Sequence, residues 1–583
     1  MPKLELANSL KTATRPKHIA VLEACWIGLG AGLAAVAVKQ GVGMLGALRL
    51  DLAALYSAPI VLPLFGLIGG LLAGFLVERV APETSGSGIP QVKALLQGAQ
   101  VRFDLRIVWV KLLGGVYALG SGFLLGREGP TVQVGAALAA QFERWFPTSP
   151  AQRRQLISAG AGAGLAAAFN APVAGVLFVV EELLKDVSGF TLGTAILASF
   201  MAAVISEAFG GRAFDLNLAT DLPPSSFTAM EIPFYVLLGV AAGVLGSLFN
   251  KSILVSLTLN YHKSRLPLSV RVGLAGLASG AIVSALPTVF HDNAGLRHLL
   301  ISGHSPWQTA ACAFALQFVL TVIGYGSGAP GGLFAPTLML GAALGYLTGI
   351  AAHHVLGTGD PAAFALVGMG AFFSGAIRVP ITAVVIVFEM SGQFALVLPL
   401  MVACAIAWFV GERLAPGPLY DRLVDWAGLV PKQAEQVERP QPSASALTAA
   451  DVLTEDYEAL TSTTTLGEAI AALCRLESRE CLVVDDGKLV GVVTDCTLLA
   501  CTRQPLPDST PLSEIVTACA TTASLSMPLA EVLLLLSLEN ATLIPVTDGA
   551  RILGVVTLAD AIHPTLAGAD NEAPQPSQEN TRQ

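Results

Sequence analysis

Three short segments interrupt otherwise apolar sequence: Gly86-Ser-Gly-Ile-Pro90, Gly126-Arg-Glu-Gly-Pro130 and Gly332-Leu-Phe-Ala-Pro336. In each, the proline can take an early position of a following helix, where its missing N–H costs nothing. The glycine before it permits a sharp approach of the chain. Each segment therefore offers free backbone N–H groups at a positive helix end. Three such ends converging inside a membrane would bind an anion without a bare lysine. Carboxylates inside the apolar runs are few: Glu128, Glu181, Glu182 and Glu389. A carboxylate at the bilayer centre costs roughly 2.5–3.5 kcal/mol on insertion scales, which makes each a functional candidate. Glu128 lies within the second segment, where it can imitate an anion, compete with one, and be released by a proton. Glu181 and Glu182 close an apolar run ahead of Lys185, and Glu389 closes a similar run. For these three, ordinary helix-end charge is the competing reading. Arg127 reads as a structural or field-setting cation.

The elements that must position these groups are membrane helices. Hydrophobic residues make up 53% and charged residues 13% of the 583, against roughly 25% charged in soluble globular chains. Mean hydropathy is +0.66. Apolar runs extend over about 18–48, 53–79, 107–125, 153–182, 190–209, 231–258, 268–289, 308–325, 332–356, 361–389 and 393–411. Several are broken by Gly and Pro, which predicts helices that tilt or stop midway, tolerated only where protein or a cavity satisfies the backbone. Residues 1–17 form a short N-terminus with Lys3, Lys11, Arg15 and Lys17 against Glu5. This places it in the cytoplasm and suits a prokaryotic plasma membrane.

The body repeats itself. Residues 126–138 and 332–344 both read G-x-x-x-P-T-x-x-x-G-A-A-L, an offset of 206. At offset 208, Gly162, Ala163, Ala168, Pro172 and Glu181 match Gly370, Ala371, Ala376, Pro380 and Glu389. Two halves, about 18–220 and 230–420, form one transport-type domain. Broken helices at matched positions favour inverted repeats with a site between them, although sequence alone does not give their relative direction.

The tail is of another kind. Residues 421–583 carry nine Lys and Arg against 23 Asp and Glu. Beyond a polar linker, 426–446, a second repeat at offset 63 pairs Leu489-Val-Gly-Val-Val-Thr494 with Ile552-Leu-Gly-Val-Val-Thr557. Strand-like patches fall at Cys481–Val484, Leu489–Thr494, Leu543–Val546 and Ile552–Thr557. Residues 567–583 read as a disordered tail. The eight cysteines form no CxxC pair, five lie in the tail, and they read as small buried residues in a reducing compartment. His353–His354 reads as interfacial. No metal cluster, nucleophile–base pair or basic nucleic-acid patch is visible, so the chain does not read as an enzyme and no cofactor is required.

Over about residues 18–425 the chain resembles the CLC chloride channels and proton/chloride exchangers. The resemblance rests on the three segments, the internal repeat and the Pro418-Leu-Tyr420 ending. It implies a membrane all-α body, an inverted repeat of tilted and broken helices, and a homodimer with one pore per subunit. It implies that Ser87 and Tyr420 supply hydroxyls, and Leu333 and Phe334 amides, to a central chloride. Glu128 matches the external gating glutamate. Glu182 matches the internal proton-transfer glutamate of the exchangers, and Glu181 its neighbour. An acid at 182 favours exchange over the alternative, a passive gated channel. Serine rather than proline at 87 resembles chloride-preferring over nitrate-preferring members. The tail, about 447–503 and 509–566, resembles a cytoplasmic α/β pair of CBS domains. There, Thr557 and Asp560 match the ribose-binding positions of nucleotide-binding pairs for an adenine nucleotide (ATP, ADP or AMP). Repeat one has Thr494 but Thr497 where the acid is expected. A purely structural dimerisation module is the competing reading of the tail. A third alternative for the whole chain is a membrane-anchored nucleotide sensor.

Overall fold

The computed structural model describes residues 17–99, 101–145, 150–185, 189–210, 228–292, 305–357, 359–430, 448–454, 457, 459–476, 480–494, 507–516, 521–538, 541–549, 551–557 and 560–561. The polar N-terminus, most of the linker, Thr497 and the tail from 567 lie outside the described residues. The chain divides into two compact units, Met1–Pro431 and Lys432–Gln583.

The first unit is helical: α1 (Lys17–Leu55), α2 (Ala58–Arg79), α3 (Ile89–Leu96), α4 (Leu105–Gly120), α5 (Glu128–Trp145), α6 (Pro150–Phe169), α7 (Pro172–Phe178), α8 (Gly189–Gly210), α9 (Ile232–Thr258), α10 (Leu268–Ser284), α11 (Trp307–Gly326), α12 (Phe334–Leu356), α13 (Pro361–Ile377), α14 (Pro380–Ser391), α15 (Val397–Leu414) and α16 (Leu419–Ala427). Among the described residues, seven helical stretches are long and apolar enough to cross a membrane. At 1.5 Å per residue the 39 residues of α1 reach about 58 Å, twice a ~30 Å hydrocarbon core, so it is longer than an upright span requires. The seven-residue α7 and eight-residue α3 are too short to cross. Exposed Leu55, Ile60, Phe75, Trp109, Val204 and Phe394 give the body an apolar outer surface.

Two of the long apolar runs are split at equivalent points. Asn170 (φ 55°) separates α6 from α7, and Arg378 (φ 75°) separates α13 from α14. Both are left-handed residues other than glycine, and each is followed two residues later by the proline that starts the next helix. The short helices are thus the second halves of broken ones.

The direction of the two halves is set by α2 and α10, which pack backbone to backbone. A side-chain carbon on Gly66 would lie 2.1 Å from Gly276 O, and one on Gly276 would lie 2.0 Å from Gly66 O. Gly74 meets Ser269, Gly70 meets Val272 and Gly280 meets Leu62, so one number rises as the other falls. The two helices are antiparallel. Because they occupy equivalent places in the two halves, the halves are inverted about an axis lying across the helices, in the membrane plane. The expected inverted repeat is what the chain builds.

The second unit contains α17 (Leu466–Leu476), α18 (Leu529–Leu538) and strands β1 (Ala459–Leu460), β2 (Glu480–Asp485), β3 (Lys488–Thr494), β4 (Leu543–Asp548) and β5 (Arg551–Thr557). They form one sheet in the order β1-β2-β3-β5-β4. Each repeat supplies an antiparallel hairpin, β2–β3 or β4–β5. Lys488 opposite Arg551 joins them. This is the α/β pair read from the sequence.

Candidate anion site and its acidic neighbours

The three Gly/Pro segments converge. Gly126 and Gly332, equivalent in the repeat, pair as an antiparallel bridge: Gly126 N donates to Gly332 O at 2.8 Å, and Gly332 N to Gly126 O at 2.6 Å. Gly129 touches the first segment. A side-chain carbon there would lie 2.6 Å from Ser87 O, 2.9 Å from Ser87 Oγ and 2.8 Å from Gly332 Cα. A side-chain carbon at Gly126 or Gly332 would lie within 2.3 Å of Glu128 Oε1, so a larger residue at either would push the carboxylate from its place.

Glu128 is fully buried at the start of α5. Its Oε1 accepts from Phe334 N at 2.7 Å and Ala335 N at 3.2 Å, the first free amides of α12. The carboxylate thus occupies a positive helix end, as the anion-mimic reading requires. Of the Leu333–Phe334 pair expected to face an anion it uses the amide of Phe334, with Ala335 in place of Leu333, which stands at the N-cap. Glu128 Oε2, Ser87 Oγ and Tyr420 OH are buried oxygens that no protein group meets at hydrogen-bond geometry, the two hydroxyls facing each other across the site. Buried polar atoms are rarely left unmatched, so three together indicate room for a ligand that the protein itself does not supply. Ser87 is held between two left-handed glycines, Gly86 (φ 69°) and Gly88 (φ 90°). Beneath that loop the buried Lys111 donates to Thr84 O at 2.8 Å and Gly86 O at 2.7 Å. Aromatic rings wall the site. Phe334 lies 4.6 Å from Phe373, 5.4 Å from Phe178 and 6.1 Å from Tyr420, centroid to centroid.

On one side, Glu128 borders a cavity of about 790 Å³, whose walls include Arg49, Arg127, Glu207, His291 and Glu389. Arg127 donates to Ala168 O at 2.8 Å. Glu181 and Glu182 do not line this cavity. Glu181 accepts from Ile381 N (3.1 Å), Thr382 N (2.8 Å) and Thr382 Oγ1 (2.7 Å) at the start of α14. Glu182, 1% exposed, instead faces Lys93 Nζ at 2.7 Å. Lys93 also pairs with Asp421, next to Tyr420. The two adjacent acids sit on a π-helical turn, Val179–Leu184, and point to different neighbours. Lys93, Lys111 and Asp421 were missed in the sequence. The rule that flags acids in apolar runs applies equally to cations and would have found Lys111, inside the run 107–125, but not Lys93, which lies between runs.

In the tail unit, Thr557 Oγ1 (2.6 Å) and Thr454 Oγ1 (3.0 Å) both donate to Asp560 Oδ2, and Asp560 N donates to Thr557 Oγ1 at 3.2 Å. Thr494 ends β3, opposite Glu480. Among the described residues no group of His, Cys, Asp and Glu could hold a metal ion.

The inverted halves, broken helices meeting at a buried polar centre and a paired α/β tail define a membrane transport protein with a soluble module. The voltage gated chloride channel family matches residues 69–412, and the CBS domain matches 449–501 and 512–564. The chain belongs to that family, the CLC proteins, and carries two CBS domains. An H(+)/Cl(-) exchange transporter ClcA from Vibrio parahaemolyticus is 36% identical over 379 residues, 62% of this chain and 80% of the relative. Its counterpart from Yersinia pseudotuberculosis is 33% identical over 439 residues, 72% and 89%. Among solved structures, a slow cyanobacterial Cl-/H+ antiporter superposes with a TM-score of 0.66 at 30% identity, covering 72% of this chain and all of that one. A eukaryotic CLC transporter gives 0.64 at 23% identity over 93% and 97%, a likeness of fold.

Proposed function

We propose that this protein exchanges chloride for protons across a membrane, as its named relatives do. The observation that carries the reading is the Glu128 carboxylate seated on the amides of Phe334 and Ala335. A chloride competing for those amides must displace it, and a proton taken up by the displaced carboxylate keeps it away. One residue therefore links the two ions. In this reading chloride lies between the Ser87 and Tyr420 hydroxyls and the N-terminus of α12 around Leu333 and Phe334. Glu128 opens toward the cavity, and Glu182 relays protons on the other side.

Inversion supports that last assignment. Glu389 lines the Glu128 cavity, and Glu181 is its repeat equivalent. An axis in the membrane plane carries one face to the other, so Glu181 and its neighbour Glu182 belong to the opposite face. Glu181 then anchors α14 rather than carrying protons. With a cytoplasmic N-terminus and tail, Glu182 faces the cytoplasm of a prokaryotic cell. The subunit works within a homodimer, one pore each. The Thr454–Thr557–Asp560 cluster would receive the ribose of an adenine nucleotide.

The test is flux from the purified protein in liposomes, with internal pH recorded under an imposed chloride gradient. Exchange drives protons uphill; chloride flux without proton movement would leave a passive channel.

A further inference from the structure

Lys93 is a sealed cation shared by two carboxylates with different neighbours. It lies on α3, six residues beyond Ser87, and is 2% exposed. Its Nζ contacts Glu182 Oε1 at 2.7 Å and, at the same time, Asp421 Oδ1. Asp421 follows Tyr420 at the start of α16 and is 27% exposed. Its other oxygen stands 3.4 Å from the exposed Lys185 Nζ. The groups that act on Glu182 are Lys93 from α3, Asp421 from α16, Lys185 from its own segment and the Tyr420 hydroxyl. Glu181 is turned onto α14. A contiguous chain of charge thus runs from a buried acid to water through one ammonium.

The charge count depends on a single proton. With Glu182 ionised, Lys93, Glu182 and Asp421 sum to one negative charge. With Glu182 protonated they sum to zero, and Asp421 has the ammonium to itself. Both hydroxyls of the anion site border this contact, because Ser87 lies in the loop that leads through Gly88 into α3 and α16 carries Tyr420. We propose that Lys93 is a positioning residue for exchange: it converts the proton occupancy of Glu182 into the strength of the α3–α16 contact, and so sets how firmly Ser87 and Tyr420 close the inner boundary of the anion site. The proposal rests on the antiport reading. The direction follows from the charges. A proton on Glu182 removes the competing carboxylate and draws Asp421 to Lys93, closing the boundary while the proton travels. Its loss divides the ammonium between two partners and relaxes the closure. Without Lys93, the buried Glu182 carboxylate would lose its counter-charge with the half-buried Asp421 carboxylate nearby, a repulsion relieved by retaining a proton on Glu182.

Chloride and proton fluxes through the full-length protein in liposomes, measured over a range of pH on the Glu182 side, test this. Lys93→Met is expected to keep chloride flux within about threefold of wild type, to move about tenfold fewer protons per chloride, and to lose the pH dependence. Lys93→Arg restores the ratio and the profile. Asp421→Asn still moves protons but slips, carrying at least about twice the chloride per proton. Lys93→Met with the wild-type ratio and pH profile overturns the proposal. If that variant fails to fold, Asp421→Asn with a wild-type ratio does so instead. A wild type that moves chloride but no protons refutes the antiport reading itself, a separate outcome.

Discussion

Glu181 and Glu389 cap each other's half of the molecule. Glu181 accepts from Ile381 N and Thr382 N at the start of α14, and Glu389 accepts from Val173 N (2.9 Å) and Ala174 N (2.8 Å) at the start of α7. The acids are 208 residues apart, and so are the amides they hold. The exchange follows from inversion: a broken helix brings its own acid to the mate of its own N-terminus. It also explains why these two carboxylates tolerate an apolar setting, since each satisfies amides that would otherwise be orphaned.

These caps are expected to be structural. Glu181→Ala and Glu389→Ala should each cost about 1–2 kcal/mol, in the range measured for lost caps. Thermal unfolding of the detergent-purified protein should show both variants lowered by similar amounts. A loss confined to one of them would break the symmetry argument.

Ser87 and Tyr420 should contribute one hydroxyl each to a bound chloride. Losing a single donor to a charged partner is worth about 1.5–3 kcal/mol, or roughly ten- to a hundredfold in affinity. Calorimetric titration of Ser87→Ala and Tyr420→Phe with chloride should show weakening of that order, with the fold retained. Unchanged binding in both would move the anion elsewhere.

Much of this arrangement was legible before the fold was seen. The tail strands differ from the sequence reading by a residue or two at their ends, because hairpin alternation and turn residues are local signals. The convergence of Gly86–Pro90, Gly126–Pro130 and Gly332–Pro336 was also readable, because the repeat and the glycines both demand close approach. The partition of work between Glu181 and Glu182 was not. Their contacts, Thr382 for one and Lys93 for the other, come from helices far along the chain, and no local pattern specifies which face of a π turn each acid takes. The breaks at Asn170 and Arg378 were legible only in part: Pro172 and Pro380 mark where the next helices start and Asn tolerates the left-handed conformation, but nothing local specifies it at Arg378.

In the tail, Asp485 accepts from Ser462 N at 3.0 Å, and Asp451 and Glu468 accept from Thr448 N (2.7 Å) and Thr465 N (3.0 Å). The Ser462 hydroxyl and then its amide on Asp485, and the amides and then the hydroxyls of Thr448 on Asp451 and of Thr465 on Glu468, hold all three carboxyls below the ordinary carboxylate range. A depressed group contributes stability that is present above its unfolded value, near pH 4, and lost as pH falls through its folded value. Unfolding of the tail, followed by hydrogen exchange in the whole protein, should therefore ease progressively below about pH 4. Asp485→Asn should flatten part of that slope; an unchanged slope in this variant would remove Asp485 from the account.

The nucleotide reading of the tail is tested at Asp560. Two threonine hydroxyls already point at its Oδ2, so a ribose must replace or join them. Titration of the full-length protein with ATP, ADP and AMP should give binding that Asp560→Ala weakens at least about tenfold. No heat with any of the three at millimolar concentration would leave the module a structural one.

The two buried acids of the transport path should fail in different ways. Glu128 holds the amides of α12, so Glu128→Gln removes both the charge that competes with chloride and the proton that releases it. Chloride should still move, while proton movement and the pH dependence of flux vanish. Glu182 instead accepts from Lys93 Nζ, and it and Glu128 both act on the Tyr420 hydroxyl. Glu182→Gln should leave Glu128 seated on Phe334 and chloride flux within about threefold of wild type, yet drop uphill proton movement about tenfold or more. Glu181→Gln keeps an oxygen to accept from Thr382 and should leave the coupling ratio near wild type. The assay is internal pH in liposomes under a chloride gradient, with potassium and valinomycin fixing the voltage. Were Glu182→Gln to pump at the wild-type ratio while Glu181→Gln did not, the roles of the two neighbours would be reversed, and the proton would have to pass along α14 instead of past Lys93.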